Sequence, residues 1–161
     1  MYVLINYRLH FTPVYLEKAI YQVCSNLSLS LSLSLSLSLN KISITGETIE
    51  EHCYVANKST VEVTPRATLY QTRVYQSGEC HKAVDRVLTE HIIGNKMASN
   101  ANNTDTIHIP IHKSASLSIK SDVISVKYVV HVTLDIPHAV DLSIDLPIIV
   151  TTQSALDRNQ G

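Results

Sequence analysis

The chain has 161 residues, with 13 Lys and Arg against 14 Asp and Glu and a formal net charge of −1. This length fits one domain, and the balance of charge excludes a broad electrostatic footprint for nucleic acid or for an anionic membrane. Apolar residues make up 45% of the chain, which is enough to form a core and argues against wholesale disorder. The three cysteines, an odd number, cannot close the disulfide framework of a small secreted domain.

The N-terminal two dozen residues are apolar on average, but three charged residues and a proline interrupt them: Arg8, Pro13, Glu17 and Lys18. No uncharged run there reaches the roughly 20 residues that a transmembrane helix needs. No basic start followed by an uninterrupted apolar region marks a signal peptide either. We therefore predict neither a transmembrane segment nor a signal peptide.

A low-complexity tract follows, in which Leu and Ser alternate without exception from Leu27 to Leu39. Alternation with period two is typical of a strand, although the same residues could also form a helix that is apolar all round. An uncharged strand of this kind is an aggregation hazard. A translated CT dinucleotide repeat gives the same alternation with no selection on the protein, and we favour that origin. We therefore expect residues 1–40 to lie outside the fold.

Two long strands are predicted near the C-terminus. Between Val123 and Asp135 one face carries apolar residues and the other is mostly polar; the apolar positions are Ile124, Val126, Tyr128, Val130, Val132 and Leu134. Residues 142–150 repeat this pattern, and Ile136-Pro137-His138 supplies the turn between the two strands. Pro147 is expected to face outward, where its missing N–H is tolerated.

Earlier segments predict further strands. Ile107, Ile109 and Ile111 alternate with polar residues, and Ile49, Cys53 and Val55 share a face that Glu51 interrupts. Residues 66–76 and 82–93 predict a hairpin that turns at Ser77-Gly78-Glu79. The Asn-rich stretch 94–105 is expected to be an exposed loop. About seven strands and no convincing helix after Lys41 predict an all-β sandwich.

Residues 107–150 resemble the end of an arrestin C-terminal domain, and most closely that of the α-arrestins, or arrestin-domain-containing proteins. The matching landmarks are Ile109-Pro110, Ser116, Ile124, Val126, Tyr128, Val130, Asp135-Ile136-Pro137, Asp141-Leu142 and Leu146-Pro147-Ile148. Upstream, ATLYQTRVYQSGECHK and HIIGNKMAS resemble the central hairpin and the next strand of that domain, and Asn57-Lys58-Ser59 stands at its Asn-x-Ser turn. The resemblance covers residues 45–151 in consistent order.

The resemblance implies an immunoglobulin-like sandwich over residues 41–152, followed by a disordered tail at 153–161. It also implies a non-enzymatic adaptor that links membrane-protein cargo to ubiquitin ligases and endocytic machinery, in the cytoplasm and at plasma or endosomal membranes. The chain contains no Pro-Pro-x-Tyr motif for docking a ligase. We expect it to be a truncated or mis-assembled fragment of a longer α-arrestin.

Possible sites of chemistry receive little support. His52-Cys53 and Cys80-His81 have the composition of a zinc site, but adjacent residues on a strand point to opposite faces. His108 and His112 would lie about 13 Å apart on an extended chain, which is too far for one ion. Nothing in the spacing of Cys80 and His131 supports a nucleophile with its base. We therefore assign no catalytic residue, no metal ligand and no cofactor.

The sequence also bears on two other classes of binding protein. Lys82, Arg86 and Lys120 form no dense basic cluster with interleaved aromatic residues, so binding of single-stranded nucleic acid is not expected. An extracellular adhesion or structural module with an immunoglobulin-like fold is the alternative to an adaptor. It would require glycosylation of the Asn57 or Asn102 sequon.

Overall fold

Two β-sheets pack against one another in a computed structural model of the chain, which describes residues 31–36 and 42–158. Seven of its strands have six or more residues, and the predicted all-β sandwich is confirmed. The elements in chain order are β1 (Leu31–Ser36), β2 (Ile42–Ile44), β3 (Thr48–Asn57), β4 (Thr64–Ser77), β5 (Cys80–Val87), β6 (Ile92–Ile93), β7 (Ala101–Pro110), β8 (Ile119–Lys120), β9 (Ile124–Asp135), β10 (Leu142–Thr151) and α1 (Gln153–Arg158).

The smaller sheet has the order β1-β3-β7, and both pairings are antiparallel. Ile49 on β3 lies opposite Ile109 on β7, and both side chains are buried. Every second residue of β3 from Ile49 to Val55 is buried, and this set includes Glu51. The predicted apolar face is therefore correct, and the carboxylate that interrupts it is buried with its neighbours.

The larger sheet has the order β2-β10-β9-β4-β5. Two short strands complete it: β8 pairs with β9 on the same side as β10, and β6 pairs with β4 on the same side as β5. The strands predicted at 123–135 and 142–150 are β9 and β10, and their predicted inward faces are buried from Val126 to Leu134 and from Leu142 to Val150. Pro147 is exposed, as predicted. β2 runs parallel to the end of β10, whereas the other pairings in this sheet are antiparallel.

The core lies between the sheets, where the buried faces of β3 and β7 meet those of β4, β9 and β10. Strand alternation places one apolar side chain in this layer for every two residues. Its fully buried members, with at most 1% of the residue exposed, are Cys53, Val55, Val63, Ala67, Leu69, Met97, Ile109, Tyr128, Val130, Val132, Leu134 and Val150.

The expectation of an exposed loop at 94–105 is wrong in two respects. Strand β7 begins at Ala101, and Met97 and Asp105 are buried. Backbone hydrogen bonds join Met97 to Val63 in both directions, at 2.8 and 3.0 Å. Asp105 accepts hydrogen bonds from the backbone N and side-chain Nδ2 of Asn95, at 2.6 and 2.8 Å. These bonds hold an Asn-rich segment against the sandwich, because they satisfy its polar groups internally.

The two ends of the described chain also differ from expectation. Six residues of the Leu-Ser tract form β1, which pairs with β3 from Asn57 to His52. The open edge of β3 offers unpaired backbone groups, and a strand-forming repeat satisfies them. A short helix, α1, replaces the first part of the disordered tail expected at 153–161. The rest of the tract and residues 159–161 lie outside the described residues, and the domain boundaries at 41 and 152 stay predictions.

Candidate functional site

A cleft of about 750 Å³ opens between the two sheets on the side of the β4–β5 hairpin. One wall is the inner face of β4 and β5 with the residues that follow β5. The other wall is formed by the end of β7, the segment 111–116 and the β2–β3 turn. Its lining residues are Gly46, Leu69, Gln71, Arg73, Arg86, Leu88, Thr89, Pro110, Ile111, His112, Lys113, Ser114, Ala115 and Ser116.

Three cationic side chains line the cleft: Arg73, Arg86 and Lys113. Arg86 lies directly opposite Gln71, so it is diagonal to Arg73 on the same face of the sheet. Diagonal neighbours of this kind lie about 7–8 Å apart. Lys113 stands on the opposite wall. Among the described residues that line the cleft, none is Asp or Glu, and no ion pair forms to these three cations within 31–36 and 42–158.

A buried chain of hydrogen bonds forms the floor of the cleft. The Nε2 of Gln71 donates to the hydroxyl of Tyr128 at 2.5 Å, and that hydroxyl donates to the backbone carbonyl of Ser116. Arg73 donates from Nε to the side-chain Oε1 of Gln71 at 2.9 Å and from Nη2 to the Ser116 hydroxyl at 3.0 Å. Burial raises the pKa of Tyr128 above its ordinary value, against the opposing effects of the Gln71 hydrogen bond and the Arg73 charge. The network therefore fixes the Arg73 guanidinium at the cleft.

The position of Lys113 depends on Gly46. The backbone N of Gly46 donates to the Ile111 carbonyl at 3.0 Å, and the N of Ile111 donates to the Glu47 carbonyl at 2.9 Å. Gly46 has a φ of +88°, and a Cβ at this position would lie 2.7 Å from Cγ of Lys113. The lysine stem therefore lies directly over the glycine backbone, which only a residue without a side chain permits.

Strand β5 forms an open edge beside the cleft. All eight of its residues are exposed, and no strand within the described part of the chain pairs with its outer side. The predicted hairpin is present, with Ser77 opposite Cys80 across a two-residue turn. Its second strand, predicted at 82–93, is shorter than expected: β5 ends at Val87, and Ile92–Ile93 form the separate strand β6 on another part of β4. The ladder stops there because the Thr89 hydroxyl accepts a hydrogen bond from the backbone N–H of Leu69. Gly78 has a φ of +59°, whereas Glu79 does not have a positive φ, and this combination is typical of a type II′ turn. The hairpin thus makes the exposed strand β5 the last of the described strands on this side of the larger sheet.

The histidine and cysteine pairs considered as zinc ligands are separated by the fold. Cys53 lies in the smaller sheet with none of its surface exposed, whereas Cys80 is exposed at the hairpin turn of the larger sheet. Burial, followed by the nearby charge of Asp105, raises the pKa of the Cys53 thiol from 9.0 to about 12. The described residues contain no group of three or more His, Cys, Asp or Glu side chains able to hold a metal ion.

The remaining candidate groups are dispersed as well. His108 faces Glu50 across the β3–β7 ladder at 3.7 Å, while His112 contacts the hydroxyl of Ser114 at 2.6 Å. His131 contacts Asp145 at 2.5 Å on the outer face of the larger sheet. His131 lies opposite Thr68 on β4, whereas Cys80 lies opposite Ser77 on the same strand. Thr68 and Ser77 are nine residues apart, so roughly 30 Å of strand separates His131 from Cys80.

The cationic cleft was not predicted from the sequence. Lys82, Arg86 and Lys120 form no dense basic cluster in the sequence, and sequence spacing does not show which basic residues the fold brings together. The structure instead combines Arg86 with Arg73 from the paired strand and Lys113 from another part of the sandwich. One signal was present: a two-residue turn at Gly78 and Glu79 fixes the hairpin register, and that register places Arg86 opposite Gln71.

The Asn57 sequon does not fit the extracellular alternative. Asn57 is 1% exposed, and its Nδ2 donates to the carbonyls of Val61 and Ala98 at 2.8 and 3.0 Å. Its Oδ1 accepts hydrogen bonds from the backbone N and hydroxyl of Ser59. The nitrogen that a glycan would occupy is thus engaged inside the folded domain. Asn102 is exposed on β7.

The chain is similar to known proteins in both sequence and fold. The family model of the arrestin (or S-antigen) C-terminal domain matches residues 28–155. The crystal structure of Spo0M, a sporulation control protein from Bacillus subtilis, is similar with a TM-score of 0.57 and 12% sequence identity. The match covers 83% of this chain and 56% of that one, and it shows similarity of fold. Within the described residues, no helix has the length and apolar character needed to cross a membrane.

Proposed function

Because the chain belongs to the arrestin C-terminal domain family, we propose that it acts as a non-enzymatic adaptor in membrane-protein trafficking. It would bind membrane-protein cargo and bring it to ubiquitination and endocytic machinery, in the cytoplasm and at plasma or endosomal membranes. The family match over residues 28–155 is the observation that carries this proposal.

The accessible features of the domain suit binding of proteins. All eight residues of β5 are exposed, and among the described strands β5 is the last in its sheet. Edge strands of this kind are used by proteins that add a partner's strand to their own sheet. The cleft beside it has charged and hydroxyl-bearing walls that can provide selectivity. The sequence contains no Pro-Pro-x-Tyr motif, and the β5 edge and the cleft are the surfaces we propose for partner proteins.

Proximity labelling tests this role directly. The full chain, fused to a biotin ligase and expressed in cells, is expected to enrich membrane transporters or receptors together with endocytic and ubiquitin-ligase components. The ligase alone, expressed at a matched level, controls for random labelling. Enrichment of proteins from the secretory lumen alone would overturn the adaptor role and favour the extracellular alternative.

A further inference from the structure

We propose that the edge of β5 binds an extended acidic peptide from a partner protein, which adds to the larger sheet as a further strand. This inference rests on the proposed adaptor function, since it names the class of partner that the domain would bind. Two observations carry it: no strand in the described part of the chain pairs with the outer side of β5, and the cleft-facing side of β5 is positively charged.

The backbone groups that would receive the peptide can be identified. The N of Leu88 donates to the Leu69 carbonyl at 2.9 Å, so even-numbered positions of this hairpin strand bond to β4. Hydrogen bonding in an antiparallel ladder alternates along each strand. The N–H and C=O groups of His81, Ala83, Asp85 and Val87 therefore point away from β4. Four consecutive odd positions offer a full set of donors and acceptors to an incoming strand.

The side chains on the cleft face of β5 determine which side chains the added peptide strand would carry. Alternation along β5 places Lys82, Val84 and Arg86 on one face, and Arg86 lines the cleft. A strand added beside β5 would hold its own side chains about 4.5–5.5 Å from these three. Opposite charges at directly paired positions are favourable. The matching pattern is acidic-x-apolar-x-acidic.

Further charges in the cleft favour the same ligand. Arg73 lies opposite Val84 on the cleft face, and the network described above fixes its guanidinium. Lys113 lies across the cleft, again with no carboxylate among the described residues that line it. Like charges held on the walls of a cleft repel one another, and carboxylates from a partner would offset that repulsion.

The opposite face of β5 sets a different preference. His81, Ala83, Asp85 and Val87 lie there, and Asp85 accepts a hydrogen bond from the Thr72 hydroxyl at 2.7 Å. A peptide residue beside Asp85 would favour a basic or neutral side chain over an acidic one. The two faces together select acidic residues at alternate positions, not a continuous acidic run.

The direct test measures the fluorescence anisotropy of three labelled peptides of equal length as the full chain is added. The first alternates Glu and Thr around a central Val, the second has Lys in place of Glu, and the third repeats the first with alternate backbone nitrogens methylated. The first is expected to bind at least tenfold more tightly than either of the others. Lysine removes the charge match, and methylation removes donors to the edge.

Matched variants locate the site. Arg86→Glu is expected to invert the preference between the Glu and Lys peptides. Ala83→Pro removes an outward N–H without removing a bond to β4, and is expected to weaken binding of the first peptide at least tenfold. Ala83→Val retains that N–H and should bind as the unchanged chain does. Thermal melts confirm that each variant is folded, and the methylated peptide tests the edge even if Ala83→Pro does not fold.

Three results would overturn the proposal: equal binding of the Glu and Lys peptides, unimpaired binding of the methylated peptide, or an unchanged preference in Arg86→Glu. Binding of phosphatidylserine vesicles without binding of the Glu peptide would indicate a membrane surface instead, and would also overturn it. The outcome is distinguishable from that of the adaptor role. Peptide binding without trafficking proteins in the labelling experiment defeats the adaptor role alone, whereas trafficking proteins without peptide binding defeat this inference alone.

Discussion

The side-chain amide of Gln71 on β4 donates a 2.5 Å hydrogen bond to the hydroxyl of Tyr128 on β9, and both residues are 1% exposed. The Tyr128 hydroxyl in turn donates a hydrogen bond to the backbone carbonyl of Ser116. One buried hydroxyl therefore joins two strands of the larger sheet to the segment that closes the cleft.

Tyr128→Phe is expected to destabilise the domain by about 1–3 kcal/mol, because it leaves the Gln71 amide and the Ser116 carbonyl without their partner in a buried place. Urea unfolding followed by far-ultraviolet circular dichroism measures the free energy of unfolding. Tyr75→Phe is the matched control, since Tyr75 is 43% exposed. Equal stabilities of the two variants would show that the network contributes nothing.

Asn57→Asp is expected to cost about 2–3 kcal/mol or more, because it replaces a double donor with a carboxylate oxygen facing the carbonyls of Val61 and Ala98. Differential scanning calorimetry of this variant and of Asn102→Asp measures the effect. Asn102 is exposed, so the same chemical change there should leave the melting temperature almost unaltered. A matching loss in both variants would contradict the assigned role of the Asn57 side chain.

Gly46→Ala is expected to destabilise the domain more than Gly78→Ala. Both glycines have positive φ angles, so each alanine incurs backbone strain of roughly 1–2 kcal/mol. Only at Gly46 does the new methyl group also meet Lys113, at 2.7 Å, whereas nothing lies within 4 Å of a Cβ at Gly78. Parallel denaturant titrations give the difference, and a larger cost at Gly78 would refute the close approach.

Burial raises the pKa of the Cys53 thiol, so the free energy of unfolding is expected to fall as the pH rises from about 9 to about 12. The pKa is raised to about 12 in the folded state and is 9.0 ordinarily, so within this window the unfolded state binds fewer protons. The protonated Cys53 thiol makes its full contribution to the free energy of unfolding below pH 9, and about 4 kcal/mol of that contribution is lost by pH 12. Unfolding titrations at several pH values should give a shallower decline for Cys53→Ala than for Cys80→Ala. Identical declines would exclude this effect.

Removal of residues 1–36 is expected to lower the melting temperature and to promote self-association. It deletes β1 and leaves β3 unpaired from His52 to Asn57, and an exposed edge of this kind pairs readily with other chains. Light scattering and size-exclusion chromatography measure the association. A chain that begins at residue 30 retains β1 and is the control. A monomeric shortened chain with an unchanged melt would show that β1 does not protect this edge.

Period-two alternation predicted β9 and β10 because each has one face in the core and a second face that is less buried. That second face is exposed from Ser143 to Ile149 in β10 and mostly half-buried in β9. The burial of Asp105 could not be predicted in this way, since its partner is the backbone and amide of Asn95 and not a charge. The position of Lys113 depends on backbone bonds between Gly46 and Ile111, which are distant in sequence. Local pattern thus predicts elements, whereas the cleft is assembled by contacts between distant segments.

The pairing of β1 with β3 has a consequence for the length of the repeat. Leu31–Ser36 is one of several identical six-residue windows between Leu27 and Leu39, so a shift of two residues presents the same sequence to β3. Register is normally set by differences between successive side chains, and this strand has none beyond its alternation. Loss or gain of one Leu-Ser unit, which is six nucleotides and keeps the reading frame, would therefore leave an equivalent edge strand available to β3.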